Sequence, residues 1–78
     1  MLWIFYLAAR LYLSFNYDAG MTLELSDGSK WTIRPEDTVV TSVWIVPVEV
    51  EIQKSQDKDY PYSLHNISTK QTVKAKKL

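Results

Sequence analysis

LELSDGSKWTI, residues 23–33, places two short apolar/polar alternations on either side of a turn-forming cluster, and its register decides the fold. A period of two marks strands that bury one face. Met21, Leu23 and Leu25 therefore belong to one face, and Trp31 and Ile33 to the face they must meet. Residues directly opposite in an antiparallel pair share a face. A two-residue turn at Asp27-Gly28 would set Glu24 opposite Trp31 and mix the faces. A loop of Ser26, Asp27 and Gly28, with Gly28 left-handed in a bulge, instead sets Leu23 opposite Trp31 and Met21 opposite Ile33. It also sets Glu24 against Lys30 on the outside, so the bulged loop is expected.

The same reasoning extends toward the C-terminus. Arg34-Pro35-Glu36-Asp37 reads as a turn, because Pro35 removes a donor and biases Arg34 away from helix. Residues 38–46 are rich in β-branched side chains and apolar on both faces, which predicts a strand buried on both sides. Pro47 should interrupt its ladder at a bulge, corner or edge, and residues 48–52 resume strict alternation. After the polar loop 54–59, residues 60–66 and 71–77 form a closing hairpin. A four-residue loop, 67–70, matches its faces by placing Leu64 opposite Val73, Tyr62 opposite Ala75 and His65 opposite Thr72. The fold class is mainly β. Residues 21–78 are expected to form a small five- to six-stranded barrel, SH3-like or OB-like, since closure hides edges that so short a chain has no second sheet to cover.

Residues 1–20 form the other part, an apolar N-terminal segment expected to be helical. Arg10 is the only charge in MLWIFYLAARLYLSF, residues 1–15. A helix over residues 1–17 would span about 25 Å at 1.5 Å per residue, short of the hydrocarbon thickness of about 30 Å. Arg10 would cost about 3 kcal/mol on insertion, which roughly cancels the gain from seven large apolar side chains. Two readings are preferred to a membrane span. One is an export leader or its remnant, for which residues 2–9 give the apolar run but no basic residue precedes it. The other is a covering or interfacial helix with Trp3, Tyr6, Arg10, Ser14 and Tyr17 on one polar-tipped stripe. An additional strand is the least favoured.

Composition narrows the function classes. The 78 residues carry nine acids and nine lysines or arginines, and no cysteine. A disulfide framework and thiolate metal sites are excluded, and a neutral chain is not a simple polyanion binder. The charge is uneven: residues 21–53 hold six acids against Lys30 and Arg34, and residues 54–78 hold six lysines against Asp57 and Asp59. His65, the only imidazole, has Ser63 and Lys74 as its neighbours of interest, too few for a triad. One histidine does not make a zinc site. Glu49 and Glu51 share a strand face about 7 Å apart, but their spacing matches no calcium loop. Asn66-Ile67-Ser68 fits the glycosylation acceptor pattern, which matters only in a eukaryotic secretory pathway. Gly20 and Gly28 alone cannot build a phosphate loop. No catalytic residue, cofactor or metal is expected. Trp31 and Tyr62 fall on the core face, whereas Trp44 and Tyr60 are left as candidate stacking surfaces beside lysines.

The sequence LSDGSKWTI (25–33), then Trp44, YPYSLHN (60–66), Thr69 and Val73-Lys74-Ala75, resembles a group of small bacterial proteins. These are uncharacterised, all-β and often preceded by an export leader. The resemblance covers residues 21–77 and implies export, but no activity. The expected function is a non-enzymatic interaction module, exported or membrane-associated in preference to cytoplasmic, with Trp44, Tyr60, His65, Lys74 and Lys76 as its candidate surface. A protein partner is favoured. The alternative is a single-stranded nucleic-acid-binding module, with membrane association through residues 1–17 and self-association also open.

Overall fold

The computed structural model describes residues 9–78. Six strands run β1 (Ala9–Tyr17), β2 (Thr22–Leu25), β3 (Lys30–Ile33), β4 (Val48–Lys54), β5 (Tyr62–Asn66) and β6 (Gln71–Lys77). They close into an antiparallel barrel in the order β1-β2-β3-β6-β5-β4. A short helix, α1 (Thr38–Thr41), preceded by a 3-10 turn (Pro35–Asp37), lies between β3 and β4.

Both expected hairpins form in the expected register. Leu23 faces Trp31 and Glu24 faces Lys30, and Ile33 N–H donates to Met21 O at 2.9 Å. Gly28 has φ +85° and donates to Leu25 O, while Leu25 N–H donates to Ser29 O. That is the bulged loop. Asp27 stiffens it by accepting from the Ser29 hydroxyl and from Ser29 N–H, and the hydroxyl's hydrogen bond leads the effects that hold the Asp27 carboxyl below its usual pKa. In the closing hairpin Leu64 faces Val73, Tyr62 faces Ala75 and His65 faces Thr72. Lys70, at φ +60°, closes the loop, and the buried Asn66 accepts from Ser68 and Thr69 N–H.

The inward side chains meet in one core of Leu13, Leu23, Leu25, Trp31, Ile33, Trp44, Val50, Leu64, Val73 and Ala75. Trp31 stands edge-on to Tyr62 at 5.3 Å, a geometry favoured by the ring quadrupoles.

Two expectations are corrected. The helix predicted for the opening segment does not form over residues 9–17, which are strand β1, so the barrel begins before residue 21. Residues 1–8, including Trp3 and Tyr6 of the predicted stripe, lie outside the described residues. The physical reason is closure: β1 pairs with β2 on one side and β4 on the other, and without it both would be open edges. Among the described residues no helix is long and apolar enough to cross a membrane. The strand predicted over residues 38–46 is also absent. The segment turns through the 3-10 turn and α1 instead, and the barrel takes its sixth strand from β1.

Candidate interaction surface

The β3–β4 connection is built as a short helical cover. Pro35 opens it with a φ suited to a first turn, and Asp37 N–H donates to Arg34 O. Thr38 Oγ1 donates to Pro35 O, and Ser42 N–H to Thr38 O. At helical spacing, Val40, Thr41 and Trp44 then point inward: Thr41 and Trp44 are buried and Val40 packs on the core. Val39, Val43, Ile45 and Val46 are left in solvent, with Val39 75% exposed, Val43 70% and Ile45 78%.

The barrel holds this cover by several long-range bonds. β1 carries a bulge between Leu13 and Phe15. Its extra residue reverses the alternation, sending Phe15 outward and leaving Asn16 to reach the connection. Asn16 Nδ2 donates to the Thr41 and Trp44 carbonyls at 2.9 and 3.2 Å. Thr41 Oγ1 donates to Gly20 O at 2.7 Å. Trp44 Nε1 donates to Gln71 Oε1 at 2.9 Å. At the other end of the connection, Asp37 accepts from Lys74 N–H and from the Arg34 guanidinium. The exposed aliphatics therefore sit on an anchored frame.

An open cleft of about 240 Å³ lies beside them, walled by Val43, Ile45, Pro47 and Val48 and edged by Ser68 and Thr69 of the closing hairpin. Its walls are mainly aliphatic and its rim is hydroxylic. Among the described residues no titratable group lines the cleft.

The five residues singled out from sequence do not gather there as one surface. Trp44 lines the cleft but is only 4% exposed, so it is a core residue and not an open stacking platform. Tyr60 is half-buried, with Lys76 Nζ 5.8 Å from its ring centroid. His65, Lys74 and Lys76 share the outer face of β5 and β6. His65 Nδ1 lies 2.7 Å from Thr72 Oγ1, and the Glu51 carboxylate, on the neighbouring strand, is engaged by Arg10 and Gln53. Among the described residues no group of three or more histidines, cysteines or carboxylates is placed to hold a metal ion.

The aliphatics at 39, 43, 45 and 46 were missed because they were assigned to a buried strand. A signal was present: Pro35 with Glu36 and Asp37 behind it is a helix-start pattern, and Val40, Thr41 and Trp44 follow at helical spacing. No family model, curated protein or solved structure matches this chain.

Proposed function

We propose that this small β-barrel is a non-enzymatic interaction module and that the apolar barrel end at residues 39–48 binds a protein partner. The observation that carries this reading is the exposure of Val39, Val43, Ile45 and Val46 on a connection fixed by buried and partly buried hydrogen bonds. A contiguous apolar patch with a polar rim is the usual mark of a recognition surface. The shallow cleft suits an apolar side chain from a partner, with Ser68 and Thr69 available to its backbone.

A photo-crosslinking amino acid at Val43 or Ile45, introduced into the full chain in its native host, tests this. The expected result is one defined protein adduct at both positions and none at Gln56, an exposed residue in the 55–61 loop. Adducts equal at all three positions, or none at 43 and 45, would overturn it. Salt-sensitive binding of single-stranded DNA would point to the nucleic-acid alternative instead.

A further inference from the structure

Charge is sorted around the barrel wall in a way the neutral total conceals. On β4, β1 and β2, adjacent in the closed order, the outward charged residues are Glu49, Glu51, Arg10 and Glu24, with Arg10 ion-paired to Glu51 and with Lys54 exposed at the far end of β4. On β3, β6 and β5 they are Lys30, Lys74, Lys76 and His65, with Lys77 exposed at the end of β6; these strands carry no carboxylate, although Asp37 of the β3–β4 connection reaches the Lys74 backbone. In a ring of six strands β1 and β6 stand three places apart, on opposite sides.

The acidic side also carries exposed aromatics. Tyr12 and Phe15 are each more than half exposed, and Phe15 stacks on Tyr17 at 5.8 Å. Tyr12 lies opposite Glu49 on one flank, and Phe15 opposite Glu24 on the other. Open aromatic rings between carboxylates suit cationic side chains, which gain from both the ring face and the negative charge. The chain carries that complement itself. Lys74 and Lys76 are two residues apart on one strand, as are Glu49 and Glu51, so both pairs repeat at about 7 Å.

We infer that the aromatic–acidic wall of β4, β1 and β2 docks the lysine wall of β3, β6 and β5 on a second copy of this chain. The area suffices: a standard interface takes about 800 Å² per partner, about 15% of the 5282 Å² surface, and each wall comprises three of six strands. The two walls differ and lie on opposite sides, so the contact is heterologous and extends into open chains rather than closing a dimer. It is independent of the apolar barrel end.

Sedimentation velocity on the full chain tests this over about 10 μM to about 1 mM, where weak contacts are read. The mean mass is expected to rise with concentration. Raising salt from about 0.05 to about 0.5 M should weaken association about tenfold, because rim charges are screened. Two variants divide the contact: Phe15→Ser with Glu49→Lys disables one wall, and Lys74→Gln with Lys76→Glu disables the other. Each alone should stay monomeric. Their equimolar mixture should form a 1:1 dimer and nothing larger, which also shows that both variants are folded. A wild-type monomer throughout the range would overturn the inference. So would self-association of either variant alone, or association lost on Ile45→Ser but kept in both wall variants.

Discussion

Replacing Gly20 and Gly28 separately by alanine tests whether the β3–β4 connection is locked to the barrel as described. The two glycines have nearly the same backbone, φ +90° and +85°. A side chain in the left-handed region costs about 1–2 kcal/mol at either site. Their surroundings differ sharply. Among the described residues a Cβ on Gly28 would meet nothing within 4 Å, whereas one on Gly20 would stand 2.5 Å from Ser42 N and 2.5 Å from Thr41 Oγ1. Backbone cannot swing aside as a flexible side chain does, so α1 must move away from the Gly20 turn. That breaks the Thr41 hydroxyl bond to Gly20 O, at 2.7 Å in the interior. Leaving buried polar groups unpaired costs about 1–3 kcal/mol.

Gly28→Ala should therefore lose about 1–2 kcal/mol and Gly20→Ala about 3–4 kcal/mol. For a domain of this size each kcal/mol shifts Tm by about 4–8 °C, so the two melts should separate by about 10 °C. Urea and thermal unfolding followed by tryptophan fluorescence gives both numbers, with Trp44 reporting from the connection itself. Equal losses at the two sites would refute the claim that α1 is packed on the Gly20 turn.

Two further outcomes are expected. Asp57 accepts N–H bonds from Tyr60 and Asp59; these bonds, in that order, hold its carboxyl below the usual value, with burial opposing and Lys74 and Arg34 adding. The unfolded chain then protonates first as pH falls. Its contribution is complete above the ordinary carboxylate range of about pH 4 and is lost as pH drops through the lower folded value. Asp57→Asn should flatten that acid limb of a stability-against-pH curve, and an unchanged limb would show the loop bonds do not matter. Val43→Ser and Ile45→Ser should each change stability by no more than about 0.5 kcal/mol, measured by urea unfolding; a loss several times larger would mean these side chains are core.

The hairpin registers were legible in residues 23–33 and 62–75 because one face of each strand must be apolar and only one loop length satisfies that. The 38–46 segment was not, because β-branched residues favour strands only where a pleated surface is available to pack them. Here Pro35 and the Asp37 bonds to Arg34 and Lys74 set a helical turn first. Residues 9–17 misled for a related reason: the bulge after Leu13 breaks the two-residue period in the middle of the strand. The charged and aromatic walls could not be read at all, since they depend on which strands are neighbours in the closed order. Of the five residues picked as a surface, the buried Trp44 was the one whose environment only the connection's path could settle.

The exposed aliphatics of the connection have no folding reason to be aliphatic. Apolar side chains stabilise a fold through area removed from water, about 25 cal/mol per Å², and Val39, Val43 and Ile45 remain in water after folding. The three inward positions, Val40, Thr41 and Trp44, already turn to the interior. At Val39, the outward position within α1, serine or lysine would serve helix formation about as well as valine, a residue that loses side-chain freedom in a helix; Val43 and Ile45 lie beyond the helix. Hydrogen bonds with Asn16, Gly20 and Gln71 meanwhile fix the connection in place. An ordered segment with uncovered apolar side chains is what the proposed partner surface would use, since binding would complete their burial. The serine variants and the position-specific crosslink therefore test the proposal together: unchanged stability would remove folding as the explanation of these side chains, and a defined adduct would identify what takes its place.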